Sequence, residues 1–151
     1  MINLLIIYHS QSETSEQMAK AVMLGACEEK EATVRLNRAF DSGLDELLWA
    51  DGIIFGTPEN FGSMSGGLKD FFDRTFYPAE AHQLNLPYGV FVSAGNDGTG
   101  AVRDIDRIAL GYPLRKVIDP VIIKGELNAQ GLSQCSELGL TLATGLAMGI
   151  F

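Results

Sequence analysis

The stretch Gly56-Thr57-Pro58-Glu59-Asn60-Phe61-Gly62-Ser63-Met64-Ser65-Gly66 gathers hydroxyls, an amide, a carboxylate and an aromatic ring into one short segment. Thr57 and Asn60 offer donors and acceptors. Phe61 can lie against a flat ring or turn into the core. Gly62, Gly66 and Gly67 let backbone come close to a ligand. A second segment, Ser10-Gln11-Ser12-Glu13-Thr14-Ser15, presents four hydroxyls where an apolar run gives way to a helical pattern. A helix start offers unpaired N–H groups and partial positive charge, which suits a phosphate. The same residues also fit simple capping, because Ser10-x-x-Glu13 and Thr14-x-x-Gln17 both match a capping box. A third segment, Ser93-Ala94-Gly95-Asn96-Asp97-Gly98, holds turn glycines and two side chains that either meet the polar edge of a ligand or close an Asx turn.

The elements that must carry these segments are legible in the apolar pattern. Ile2 to Tyr8, Gly52 to Phe55 and Tyr88 to Ser93 are nearly continuous apolar runs, as expected of strands covered on both faces. Ala32 to Asn37 alternates in strand fashion, with Val34 and Leu36 on one side. Helical spacing links Met18, Ala21, Val22 and Gly25, whose small face would lie close on a sheet. It also links Leu68, Phe71, Phe72 and Thr75, with Pro78 beyond the expected end. Further sets are Val102, Ile105, Ile108 and Ala109, and Leu138, Thr141, Leu142, Gly145 and Leu146. Leu44 to Trp49 is a short helix. Lys116 to Lys124 is a strand interrupted by Pro120, hence an edge or bulged strand. Alternating strands and helices mean βαβ units and a mostly parallel sheet with helices on both faces. Each chemically rich segment then falls at the carboxyl end of a strand, where open α/β sheets bind ligands. Three such segments on one edge would hold a flat, phosphorylated ligand along it.

The 151 residues fit one domain, 1–151, able to bury a sizeable core. A hydrophobic share of 46% with only 20% charged residues argues against disorder. The net charge of −8 disfavours nucleic acid, whose phosphates need clustered Lys and Arg. It suits solubility, or docking to a basic redox partner. Cys27 and Cys135 form no CxxC, and His9 and His82 are the only histidines, so no metal-ligand spacing exists. Both cysteines read as buried free thiols. His9 reads as structural and His82 as a surface residue. Neither a signal segment nor a membrane span is visible, and the expected compartment is the cytoplasm. The first segment is neither a P-loop nor GxGxxG, which counts against an ATPase and a standard dinucleotide fold.

Taken in order, the segments resemble a known family. Tyr8-His9-Ser10-Gln11-Ser12-Glu13-Thr14-Ser15 resembles the flavodoxin phosphate loop. The Gly56–Gly66 segment is similar to the second flavin loop of flavodoxin-like NAD(P)H:quinone reductases of the Trp-repressor-binding-protein type. Ser93 to Gly98 resembles their third loop. The resemblance implies a flavodoxin-like three-layer sandwich with sheet order 2-1-3-4-5, FMN as cofactor and NAD(P)H as candidate co-substrate. Ser10, Gln11, Ser12, Thr14 and Ser15 then match phosphate-loop positions. Thr57, Pro58, Glu59, Asn60, Phe61 and Gly62 match the second loop, where Glu59, Asn60 and Phe61 line the ribityl chain and ring. Ser93, Ala94, Gly95, Asn96, Asp97 and Gly98 match the loop at the pyrimidine edge. Glu13 stands where the family usually has glycine. The implied function is an FMN-dependent oxidoreductase reducing quinones or similar acceptors, with no catalytic residue assigned. The other readings are an electron carrier docking on a protein partner and an FMN-free binding module. A homodimer stays open.

Overall fold

In the computed structural model, which describes residues 1–151, the first strand shows why its sequence is apolar throughout. Strand β1 (Ile2–Tyr8) sends Leu5 and Ile7 into one core and Leu4, Ile6 and Tyr8 into another. A strand at the centre of a parallel sheet has no solvent face, so the polar half of the alternation disappears. The other strands are β2 (Ala32–Arg38), β3 (Gly52–Asn60), β4 (Ser63–Met64), β5 (Leu86–Ala94), β6 (Leu114–Lys116) and β7 (Val121–Lys124). The helices are α1 (Glu13–Ala26), α2 (Leu44–Trp49), α3 (Gly66–Glu80), α4 (Thr99–Ala109) and α5 (Ala129–Ala147).

The sheet runs β2-β1-β3-β5-β6, with β7 also on β5 and all these pairs parallel. Strand β4 is a two-residue antiparallel partner of β3. With β4 set aside and β6 and β7 taken as one interrupted strand, the order is the expected 2-1-3-4-5. Helices α2, α3 and α4 cover one face through Leu47, Leu68, Phe71, Phe72 and Ile105. Helices α1 and α5 cover the other through Met18, Val22, Cys135, Leu138 and Leu142.

Five details depart from the sequence reading. The small face of α1 lies against α5 as well as the sheet: a Cβ on Gly25 would sit 1.8 Å from the Ser136 carbonyl oxygen. Helix α3 runs through Pro78, because a proline in the last turn costs a single intrahelical bond. The interrupted strand separates into β6 and β7 around residues 117–120, where Pro120 has no N–H to give a ladder. Cys27 is exposed at the C-cap of α1, whereas Cys135 is buried. Strand β3 continues to Asn60, so Thr57 to Asn60 are strand residues.

Candidate functional site

Register sets the site. Tyr8 pairs with Gly56, Gly56 with Phe91 and Pro58 with Ser93, so β1, β3 and β5 end on a common edge. The three chemically rich segments leave from that edge and bond to one another, once for each pair. The Asn60 amide donates to Gln11 Oε1 at 2.7 Å, joining the second segment to the first. The Ser15 and Ser93 hydroxyls lie 2.8 Å apart, joining the first to the third. The Gly98 N–H donates to Glu59 Oε1 at 3.2 Å, joining the third to the second.

In the first segment, neither capping box forms. Ser12 is the N-cap of α1 and makes no side-chain cap bond. Ser10 donates to the Ser12 carbonyl and accepts from the Glu16 N–H at 3.3 Å, one residue beyond the first turn's open donors. The N–H groups of Glu13, Thr14 and Ser15 therefore keep no side-chain acceptor. By contrast, Ser65 caps α3 and Asn128 caps α5. Glu46 takes the N-cap N–H of α2. Gln11, Ser12 and Glu13 are exposed, Ser10 and Thr14 half-buried, and Ser15 buried. A cavity of about 230 Å³ opens beside this segment, lined by Tyr8, Ser10, Ser12, Glu16 and Arg38. Arg38, at the end of β2, is its one cation, and sequence reading missed it because β2 carries none of the loop signals. Burial and the Glu16 carboxylate push the Tyr8 phenol up.

The second segment is a hairpin. Thr57 is fully buried, and its hydroxyl donates to the Pro58 carbonyl at 2.8 Å, accepts from the Ser65 N–H and lies 3.2 Å from Ser65 Oγ. That hydroxyl holds the hairpin to α3 and faces no ligand. Pro58, Glu59 and Asn60 are half-buried. Phe61 and Gly62 form the tip with φ of 52° and 73°, and the Phe61 ring is wholly exposed, outside the core.

The third segment ends β5. Ser93 is half-buried, Ala94 is buried with its carbonyl accepting from Gly125, and Gly95, Asn96 and Asp97 are exposed. Asp97 does close a local turn, accepting from the Thr99 N–H at 3.0 Å and its hydroxyl at 2.8 Å. Those bonds hold its carboxyl below the usual range. Gly98 is buried, has φ of +74° and is the N-cap of α4.

His9 packs edge-on to Phe40, ring centroids 5.3 Å apart, and a Cβ on Gly67 would meet its ring at 2.4 Å. Its Nδ1 is buried without a partner, and burial, with Arg38 nearby, lowers its pKa. His82 is exposed in the turn after α3. No group of three His, Cys, Asp or Glu side chains converges on a metal position. No helix is long and apolar enough to cross a membrane.

The arrangement is a rim of hydroxyls and amides around a helix start with open N–H groups, beside an exposed aromatic ring. It can hold a phosphate at one end and a flat polar-edged ring at the other. Comparison with known proteins identifies the family and the fold. The family model described as NADPH-dependent FMN reductase matches residues 11–120. An Aquifex aeolicus protein named flavodoxin is 36% identical over 73 residues, 48% of this chain and 40% of its own length. An Acidithiobacillus ferrooxidans protein named NAD(P)H dehydrogenase (quinone) is 35% identical over 95 residues, 50% of this chain and 48% of its own length. The chain thus spans about half, or less, of the curated relatives it matches. Among solved structures, a flavodoxin described as WrbA-like, from Agrobacterium tumefaciens, superposes with a TM-score of 0.81. The match covers 98% of this chain and 99% of that one at 24% identity. The fold is flavodoxin-like.

Proposed function

The chain belongs to the NADPH-dependent FMN reductase family, and on that premise we propose that it is an FMN-dependent NAD(P)H oxidoreductase acting on quinones or similar acceptors. One observation carries the reading: the first turn of α1 is left without a side-chain acceptor, and it opens onto a rim closed by the three cross-segment hydrogen bonds. A helix start usually takes a cap from its own chain. Leaving one uncapped beside four hydroxyls reserves its donors for an outside anion, here the terminal phosphate of FMN.

Ser10, Gln11, Ser12, Thr14 and Ser15 would hold that phosphate, by hydroxyls and by the N–H groups of the first turn. Asn60, Phe61 and Gly62 would line the ribityl chain and one side of the ring, and Glu59, bonded to the Gly98 N–H, would hold the second loop to the third. Ser93, Gly95, Asn96 and Gly98 would approach the pyrimidine edge. Thr57, Pro58, Ala94 and Asp97 serve the loops' own structure and would bear on the cofactor through their neighbours. The chemistry FMN supplies when bound is acceptance of a hydride from a reduced nicotinamide and delivery of two electrons to the acceptor. The chain's part is to fix the ring and to leave room for nicotinamide and acceptor. The match to quinone-named relatives supports the acceptor class.

Steady-state oxidation of NADH and of NADPH by the FMN-loaded protein, with and without a soluble quinone, tests this function. Quinone-dependent oxidation is expected. Its absence, together with reoxidation by a redox protein, would favour the electron-carrier reading, which the net charge of −8 and the flavodoxin-named relative support.

A further inference from the structure

The tip of the β3–β4 hairpin is bolted to the start of α4 in three places. The Gly98 N–H donates to Glu59 Oε1 at 3.2 Å. The Ser63 hydroxyl donates to Asp104 Oδ2 at 2.7 Å. Between them the Gly62 carbonyl lies so close to Gly100 that a Cβ there would stand 1.9 Å from its oxygen. Glu59 and Ser63 flank Phe61 and Gly62, whose positive φ values leave the tip with little slack. On the other side of the clamp, Gly98 has a fixed direction. Its φ of +74° and the 2.5 Å approach of Ile122 Cγ2 to a Cβ built there restrict the position to glycine. The N–H that Glu59 receives therefore belongs to a backbone that cannot readily turn away. A carboxylate at a helix start is also favoured by the helix dipole.

We propose that Glu59 is a positioning residue: through Gly98 it fixes the third segment against the hairpin and so preforms the ring end of the cofactor site. Its carboxylate is engaged with the protein's own backbone. Its effect on a bound flavin then runs through the pose of Gly98, Asn96 and the Phe61 tip. Asp104 assists from the far side of the tip, its carboxyl held below the usual range first by the Ser63 hydroxyl. This inference rests on the flavin reading for its consequence, but the clamp itself exists without flavin.

The test compares wild type, Glu59→Ala and Glu59→Gln. Amide exchange of the apoprotein at residues 96–100 reads the clamp, and FMN association and dissociation rates from flavin fluorescence read its consequence. Losing a hydrogen bond to a half-exposed charged acceptor is expected to raise both the exchange and the FMN dissociation rate about tenfold in Glu59→Ala. Exchange in β1 and β3 stays at the wild-type rate, and FMN association changes by less than about twofold, as expected when a contact acts on dissociation. Glu59→Gln keeps an acceptor oxygen and recovers most of both. Unchanged exchange at residues 96–100 in Glu59→Ala would overturn the clamp. Faster exchange with unchanged FMN dissociation would overturn its role in the site. Glu59→Gln that restores exchange at residues 96–100 but releases FMN as fast as Glu59→Ala would assign the effect to charge on the ligand and overturn positioning. If wild type takes up no FMN, the function proposed above fails, and the exchange comparison alone decides the clamp.

Discussion

Ser15, in the first turn of α1, and Ser93, at the end of β5, place their hydroxyl oxygens 2.8 Å apart although 78 residues separate them. Ser15 is 2% exposed, so its hydroxyl has no water to turn to if Ser93 is lost. Ser15→Ala and Ser93→Ala are each expected to lower apoprotein stability by about 1 kcal/mol. The double variant should lose clearly less than the sum, because the two share one bond. Urea unfolding of the four proteins checks this. Strict additivity would mean that the hydroxyls act independently in solution.

Glu13 occupies the first position of α1 and is exposed, within the turn whose N–H groups are open. A carboxylate about 4 Å from a phosphate costs on the order of 1 kcal/mol in water. Glu13→Gly is therefore expected to tighten FMN binding about fivefold at low salt, with the gain shrinking as salt rises. Fluorescence titration at two ionic strengths measures it. Equal affinities at low salt would place the carboxylate out of range of the phosphate.

Phe61 is wholly exposed at the hairpin tip, outside both hydrophobic cores. Phe61→Ala should leave apoprotein melting within about 0.5 kcal/mol of wild type, as for a surface substitution. FMN affinity should fall by about 1 kcal/mol if the ring stacks on flavin. A buried phenylalanine would instead cost roughly 3–5 kcal/mol of stability. Paired thermal melts and flavin titrations separate these outcomes.

Much of the fold was legible because burial writes itself into composition. Continuous apolar runs marked β1, β3 and β5, and i, i+3, i+4 spacing marked α1, α3, α4 and α5. What stayed hidden was local or long-range. Strand β4 is two residues long, too short for any period to register. Pro78 reads as a stop, yet sits where a helix has few bonds left to lose. Cys27 follows the packed Gly25 and Ala26 but lies across the helix from Met18, off the buried stripe and at the exposed cap, so its small apolar neighbours misled. For the site, residue types identified the segments. Gln11–Asn60, Ser63–Asp104 and Glu59–Gly98 are separated by 49, 41 and 39 residues, and no local spacing announces such pairs. Thr57 looked like a ligand contact for the same reason, since only the folded hairpin shows its hydroxyl turned inward.

The two thiols should behave oppositely. Cys27 is exposed, while Cys135 is buried and its thiol is pushed up to about 11 by that burial. A neutral alkylating reagent at pH 8 is expected to modify Cys27 alone in the native protein, and both residues in denaturant. Peptide mass mapping reads the sites. Native labelling of Cys135 would contradict the packing of α5 on α1.

Tyr112 gives a pH signature. Its phenol is buried, shares a hydrogen bond with Thr75, donates to the Phe72 carbonyl, and is pushed up to about 12, chiefly by burial. The folded value lies above the unfolded one, so the stabilising contribution is complete below about pH 10 and lost as pH rises toward 12. Tyr112→Phe should be less stable near neutrality and flatter between pH 10 and 12. An unaltered slope in that window would assign the alkaline loss to other groups.

The central claim is that the uncapped start of α1 and its rim of hydroxyls receive the phosphate of FMN. Titration of the apoprotein with FMN and, separately, with riboflavin tests it most directly, because the two ligands differ only in that phosphate. FMN is expected to bind one per chain with its fluorescence altered, and riboflavin to bind on the order of 100-fold more weakly, as loss of charge-assisted hydrogen bonds requires. Equal affinity for the two, or no uptake of either, would contradict the account.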